Sequence, residues 1–435
     1  MTLSARRVRA VRATRRVAAL LLLSAGLLSL PAALVHPASS EASSAGTLPQ
    51  AVGSSAAPEV GAPGAILVQP DTADVVYGRA DSHRRPMAST AKLMTVLLAL
   101  ERGRLSERMT AVAYRGSPVE SLVGLRGGER WSTADLIRGL LLASGNDAAA
   151  TVAARVGGSQ RRFVALMNRR ARSAGLRHTR FADPIGLDPR TASSPADLAK
   201  LALLVRRNPF AREVMARPSA TLRSGPRTIV VHNRNTLVGA VPWVTGVKTG
   251  HTQAAGYVLV GSGRRDGVQV VSVVMGASSE TSRNADTLAL LRWGLARYRR
   301  ATPVIAGRAV THVPVKDQDE RVALVATRSV RIVVRRGEPL RTRLVGVPAE
   351  LEGPLAKGTR AGAIVAERRG RVIARVPLAT ASAVERATLW ERTAGLRAPL
   401  AALVLVALVA GGAASLTSGR GRRVRRGRST RSRVA

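Results

Sequence analysis

Apolar and polar positions alternate with a period of two over Gly256 to Gly263 and again over Val268 to Gly276, around the polar link Arg264-Arg265-Asp266-Gly267. That pattern predicts two paired sheet strands. Ala65 to Val68 and Val75 to Tyr77 form a second predicted hairpin across Pro70-Asp71. Lys92 to Leu100 is apolar nearly all round, which predicts a buried helix rather than a surface one. Asp135 to Ala154 and Arg161 to Ala174 predict further helices. After Arg300 the character changes. Ala309 to Val315, Val322 to Val334, Leu340 to Val347 and Gly362 to Leu378 are Val-rich alternating segments with Gly and Pro between them. They predict a small all-β domain, followed by a helix over Ala383 to Ala394.

The two ends carry the longest apolar runs. Val17 to Val35 follows Arg6, Arg7, Arg9, Arg12, Arg15 and Arg16, the charged-then-apolar order of a secretory signal or an N-terminal anchor. Ala398 to Leu416 is a run of 19 uncharged residues, long enough for a transmembrane helix, and Arg420 to Arg433 flanks it. Positive flanks stay on the cytoplasmic side, so both ends predict that the middle of the chain lies outside the cytoplasmic membrane. The expected organisation is a signal or anchor over 1–36 and an Ala/Ser/Pro-rich linker over 37–60. A catalytic domain over 61–300 and a β domain over 301–382 follow. A juxtamembrane helix over 383–397, a span over 398–416 and a basic cytoplasmic tail over 417–435 complete the chain.

Composition narrows the chemistry. There is no Cys, which removes disulfides, thiolate nucleophiles and Cys-ligated zinc. The six histidines (His36, His83, His178, His232, His251 and His312) show no metal-ligand spacing, so neither a metal nor a cofactor is expected. The net charge of +41 invites a nucleic-acid reading, but aromatics are only 3% of the chain and the terminal segments hold the densest basic runs. Single-strand binders need aromatic stacking platforms, so no nucleic-acid partner is expected. The basic residues are nearly all Arg; the lysines are Lys92, Lys200, Lys248, Lys316 and Lys357. A lysine in such a chain draws attention to roles arginine cannot fill, above all losing a proton to act as a base.

Three short motifs occur in order. In Ser89-Thr90-Ala91-Lys92, positions i and i+3 share a helix face, so a hydroxyl can meet an amine. A serine needs a nearby base to become a nucleophile, and burial can lower a lysine's pKa enough to supply one. Alone, the motif reads more readily as an N-cap serine followed by a chance lysine. Ser144-Gly145-Asn146 closes the run Leu140-Leu141-Leu142-Ala143. Its serine can relay a proton and its Asn146 amide can bind a substrate carbonyl, although an ordinary turn would look the same. Lys248-Thr249-Gly250 precedes His251 and a predicted strand. A cation and a hydroxyl at a sheet edge suit a terminal carboxylate, although a basic turn beside an edge strand would look the same. Gly250 permits close backbone approach, and the N–H groups of Ser89 and His251 would form an oxyanion hole.

The ordered set S-x-x-K, S-x-N, K-T-G resembles the low-molecular-mass penicillin-binding proteins, the serine D-alanyl-D-alanine carboxypeptidases of peptidase family S11. The resemblance covers roughly residues 61–380. It extends to Arg85-Pro86-Met87-Ala88, to Gly139 through Ala148, to Phe163 through Asn168 and to Phe181-Ala182-Asp183-Pro184-Ile185-Gly186-Leu187. Lys357 to Leu378 resembles the family's C-terminal β domain.

The resemblance implies a β-lactamase/transpeptidase-like α/β (α+β) fold, with an antiparallel sheet, a helical lobe and a small all-β domain. It implies Ser89 as acylated nucleophile, Lys92 as proton acceptor, Ser144 as second catalytic serine and Lys248 as substrate-binding cation. Asn146, Thr249, Gly250 and His251 would line the substrate. The implied substrate is a peptidoglycan stem peptide ending in D-Ala-D-Ala, with β-lactams acylating the same serine. Thr90-Ala91 replaces the Thr that many members carry directly before the lysine, and Pro195 interrupts the Ser193-Ser194…Asp197 stretch. A class A-type β-lactamase is the main competitor, but it needs a deacylating E-x-x-L-N, and Glu213 is followed by Val-Met-Ala-Arg. A DD-endopeptidase and an inactive wall-binding homologue are further competitors.

Overall fold

The structure, a computed structural model, describes residues 56–392 and 401–409. The N-terminal signal or anchor, most of the linker and the basic tail lie outside the described residues. So does much of the span expected over 398–416, of which residues 401–409 are helical with exposed side chains. Among the described residues no helix is long and apolar enough to cross a membrane.

Five antiparallel strands make the central sheet: β1 (Gly64–Gln69), β2 (Asp74–Arg79), β3 (Val244–Thr252), β4 (Gly256–Arg265) and β5 (Val268–Ala277), in the order β2-β1-β5-β4-β3. The alternation seen in the sequence becomes two cores. Ile66, Val258, Val260, Val271, Val273 and Met275 face the helical lobe. Ala65, Leu67, Leu259, Val270 and Val274 face the other side, packing with Leu290 and Leu291 of a long helix (Glu280–Arg297). That helix starts at a capping box in which the Ser279 and Ser282 side chains satisfy each other's backbone N–H groups.

The lobe is built from α1 (Lys92–Arg102), α2 (Thr133–Arg138), α3 (Asn146–Gly157), α4 (Gln160–Ser173), α5 (Pro195–Arg206) and α6 (Pro209–Met215); the long helix is α7. Every side chain of α1 from Lys92 to Ala99 is buried, as its all-round apolar pattern predicts. Two expectations change here. The helix expected over Asp135 to Ala154 is broken: Gly139–Ala143 forms a single wide π-type turn, and Ser144 sits in the left-handed region at φ 61 before α3 begins. Pro195 does not interrupt its stretch. It occupies the first turn of α5, where no N–H is needed, behind Ser194, whose side chain accepts the Asp197 N–H.

The C-terminal part has strands β6 (Tyr298–Val304), β7 (Ala309–Pro314), β8 (Arg321–Ala326), β9 (Val330–Arg335), β10 (Leu340–Val345), β11 (Arg360–Arg368) and β12 (Arg371–Thr380). Five of them form an antiparallel sheet in the order β7-β8-β12-β11-β10, and β6 pairs with β9. The change of character after Arg300 therefore falls inside β6. Two long predicted segments each split in two, at Thr327-Arg328-Ser329 and at Arg369-Gly370. The helix expected over Ala383 to Ala394 is also shorter. Val384 is buried and bridges to Leu355, and helix begins only at Leu389.

Candidate active site

The three motifs converge on one cleft between sheet and lobe. Ser89 lies in a single turn of 3₁₀ helix (Ala88–Ala91) that feeds directly into α1. Ala88 takes a positive φ of 47, a strained entry for a residue with a side chain. The Lys92 amine donates to Ser89 Oγ at 2.8 Å and to the Ile185 carbonyl at 3.0 Å.

The segment Asp183 to Asp188 fixes that carbonyl. Asp183 accepts the N–H groups of Ile185 at 2.6 Å, of Asp188 at 2.9 Å and of Gly186, together with the Thr191 hydroxyl at 2.9 Å. Thr95 Oγ1, one helical turn beyond Lys92, donates to the Pro184 carbonyl at 2.7 Å. Gly186 has a φ of +92, and a Cβ there would sit 1.9 Å from the Ala88 oxygen.

Lys92 is fully buried. Burial pushes its pKa down from 10.5 to about 7; Asp183, Glu120 and Asp147 oppose the fall, and Arg234 adds to it. Lys248 is also buried, donating to the Thr249 carbonyl at 2.9 Å. Burial first, then the charges of Lys92, Arg234 and Arg283, push its pKa well below 10.5.

A cavity of about 220 Å³ opens over these groups, lined by Ser89, Ser121, Ser144, Arg234, Thr249, Gly250, His251, Tyr257, Glu280 and Arg283 among others. β3 runs along its edge so closely that a Cβ on Gly250 would lie 3.0 Å from the Ser89 nitrogen. The His251 ring packs on Tyr257 with centroids 4.1 Å apart. Ser144 Oγ and Asn146 Oδ1 are buried with no hydrogen-bond partner in the chain. Unsatisfied buried polar atoms in a cleft are the ones a bound ligand can complete.

Ser89, Ser144, Thr249, Gly250 and His251 thus share one pocket, with Lys92 behind Ser89 and Lys248 behind Thr249. Asn146 begins α3 at the same place. Its backbone N–H donates to the Ser121 carbonyl at 2.7 Å, and its Nδ2 donates to Glu120 Oε2 at 2.6 Å. Four further charged groups at the cleft leave no motif in the sequence: Arg234, Glu280, Arg283 and Glu120. Arg283 is buried and pairs with Glu280 at 2.7 Å. Glu213, the single glutamate between Asn146 and Lys248, is exposed and pairs with Arg217 away from the cavity. Among the described residues no group of three or more metal-ligating acids or histidines occurs.

A family profile for D-alanyl-D-alanine carboxypeptidases matches residues 51–279, and one for the C-terminal domain of penicillin-binding protein 5 matches 298–386. The D-alanyl-D-alanine carboxypeptidase DacA of Escherichia coli (strain K12) is 32% identical over 342 residues, covering 74% of this chain and 83% of that protein. DacF of Bacillus subtilis (strain 168) is 29% identical over 344 residues, covering 76% and 88%. Among solved structures, penicillin binding protein 5 from Haemophilus influenzae matches with a TM-score of 0.55 and 30% identity, over 76% of this chain and 99% of its own. The Streptomyces K15 DD-transpeptidase matches with a TM-score of 0.52 and 28% identity, over 55% and 99%. The chain therefore belongs to peptidase family S11, the D-alanyl-D-alanine carboxypeptidases among the low-molecular-mass penicillin-binding proteins, and is a serine hydrolase.

Proposed function

We propose that this cleft removes the terminal D-alanine from peptidoglycan stem peptides through an acyl-enzyme on Ser89. The observation that carries the assignment is the 2.8 Å contact from a buried lysine, titrating at about 7, to a serine at the mouth of a polar cavity. The neutral Lys92 amine takes the Ser89 proton as Oγ attacks the carbonyl of the penultimate D-alanine. The backbone N–H groups of Ser89 and His251 hold the developing oxyanion, a role supported by the close approach of β3 to Ser89. The C–N bond then breaks, and the leaving amine receives its proton through Ser144. Water hydrolyses the ester and restores the hydroxyl. Thr249 and the Arg283 guanidinium, with the Lys248 amine behind Thr249, are suited to the substrate's terminal carboxylate. A β-lactam presents a strained amide to the same serine and leaves a slow ester.

Both terminal apolar runs carry basic flanks, which supports a membrane-tethered protein with its catalytic domain outside the cytoplasm. The decisive experiment incubates residues 56–392 with a pentapeptide ending in D-Ala-D-Ala and measures released D-alanine. Wild type releases it and Ser89→Ala does not; equal release by the two sinks the assignment. In the same assay Arg283→Leu raises KM roughly tenfold or more, the scale of one charge-assisted hydrogen bond.

A further inference from the structure

Glu120 lies on the loop between α1 and α2, outside all three motifs, yet its carboxylate is tied directly to the second of them. Oε2 accepts the Asn146 Nδ2 hydrogen at 2.6 Å and the Tyr114 hydroxyl at 2.6 Å; Oε1 accepts the Ser117 N–H at 3.0 Å. Burial works against its charge, but these three donors hold its pKa below the usual glutamate value.

An ionised carboxylate accepts hydrogen bonds and donates none. The Asn146 carboxamide facing it must therefore present nitrogen on that side, leaving Oδ1 as the open end. Oδ1 is buried and has no partner, and so is the neighbouring Ser144 Oγ. The side chain next in sequence holds the same loop from the other side: Asp147 accepts the N–H groups of Val123 at 3.0 Å, Gly124 at 2.8 Å and Leu125 at 2.8 Å.

We infer that Glu120 is a positioning residue for acylation: it locks the Asn146 carboxamide in one orientation and sets a fixed negative charge beside the Lys92 base. The inference rests on the acyl-enzyme reading above. Without Glu120 the amide is free to turn over, exchanging the ends that Nδ2 and Oδ1 now occupy. The charged groups around Lys92 are Asp183, Glu120 and Asp147, which favour its ammonium form, and Arg234, which disfavours it; the buried amine of Lys248, whose own pKa Lys92 helps to lower, is the further basic group. Removing the Glu120 charge therefore leaves Lys92 easier to deprotonate, while loss of orientation slows the step itself. The two effects have opposite signs at low pH, which separates them.

The test measures the second-order acylation constant of the full-length protein in detergent with benzylpenicillin from pH 5 to 9, for wild type, Glu120→Gln, Glu120→Asp and Ser89→Ala. Titrated binding stoichiometry counts folded sites only. Glu120→Gln lowers the plateau constant roughly tenfold, the scale of one lost charge-assisted hydrogen bond, and moves the acid limb to lower pH. Glu120→Asp keeps the limb at its wild-type position. A Glu120→Gln enzyme with an unmoved limb overturns the inference whatever its plateau, because Glu120 would then do no more than hold a loop. If Ser89→Ala is unlabelled in that case, the acyl-enzyme reading stands without it. If wild type itself is not acylated, both fall together.

Discussion

A lysine held at about 7 instead of 10.5, as Lys92 is, has had its ammonium form disfavoured by about 5 kcal/mol. At pH 7 about half of such amines are neutral, against roughly three in ten thousand for an unperturbed lysine. The fold thus enriches the basic form on the order of a thousandfold at neutral pH. The acylation constant should rise tenfold per pH unit below about 7 and level off above it. Lys92→Arg keeps a cation that cannot deprotonate in this range, so it should lose on the order of a thousandfold on the plateau, counted per folded site because the buried charge also costs stability. Stopped-flow acylation by a fluorescent penicillin reads both. A wild-type rate flat from pH 5.5 to 9, or an arginine variant within tenfold of wild type, refutes the base assignment. Stability carries the same signature with a definite sign. Between about pH 7 and 10.5 the unfolded chain binds a proton that the folded lobe does not, so this group's contribution to stability rises with pH across that window.

Two further outcomes can be checked, the first from the geometry and the second from the proposed topology. Gly186→Ala forces a Cβ onto the Ala88 backbone at a φ of +92, and should lose at least about 3 kcal/mol in urea unfolding along with acylation; a variant with wild-type midpoint and labelling would show that the contact relaxes freely. Protease added to intact protoplasts should remove the domain over 56–392 and spare an epitope on the basic tail; full protection of the domain would reverse the proposed topology.

The parts of the fold legible in the sequence are those with a local period. Val258 to Val260 and Val270 to Val274 alternate because each strand faces two cores, and the pairing follows from the short polar link. Burial of α1 can be read because no face of it is polar. The break before α3 cannot: Leu140, Leu141 and Leu142 are all buried, so the wide turn at Gly139–Ala143 leaves no gap in the apolar pattern. Val384 reads as helical because its bridge to Leu355 is a tertiary contact without a periodic trace.

The site divides in the same way. Ser89 and Lys92 meet across one helical turn, which spacing alone predicts. Arg283 and Glu120 belong to the cleft through contacts to residues that no short motif joins. In a sequence this rich in arginine, one more Arg carries no signal. Glu120 is likewise an ordinary loop acid until the Asn146 amide is seen against it.

The bond from Lys92 to the Ile185 carbonyl joins positions 93 residues apart. Until that distant segment docks, the amine is wet and protonated like any other lysine, and the hydroxyl beside it is inert. On the proposed mechanism, reactivity is therefore a property of the assembled fold rather than of the tetrapeptide. A nascent or misassembled chain would then carry the complete motif without an activated hydroxyl for a β-lactam to find.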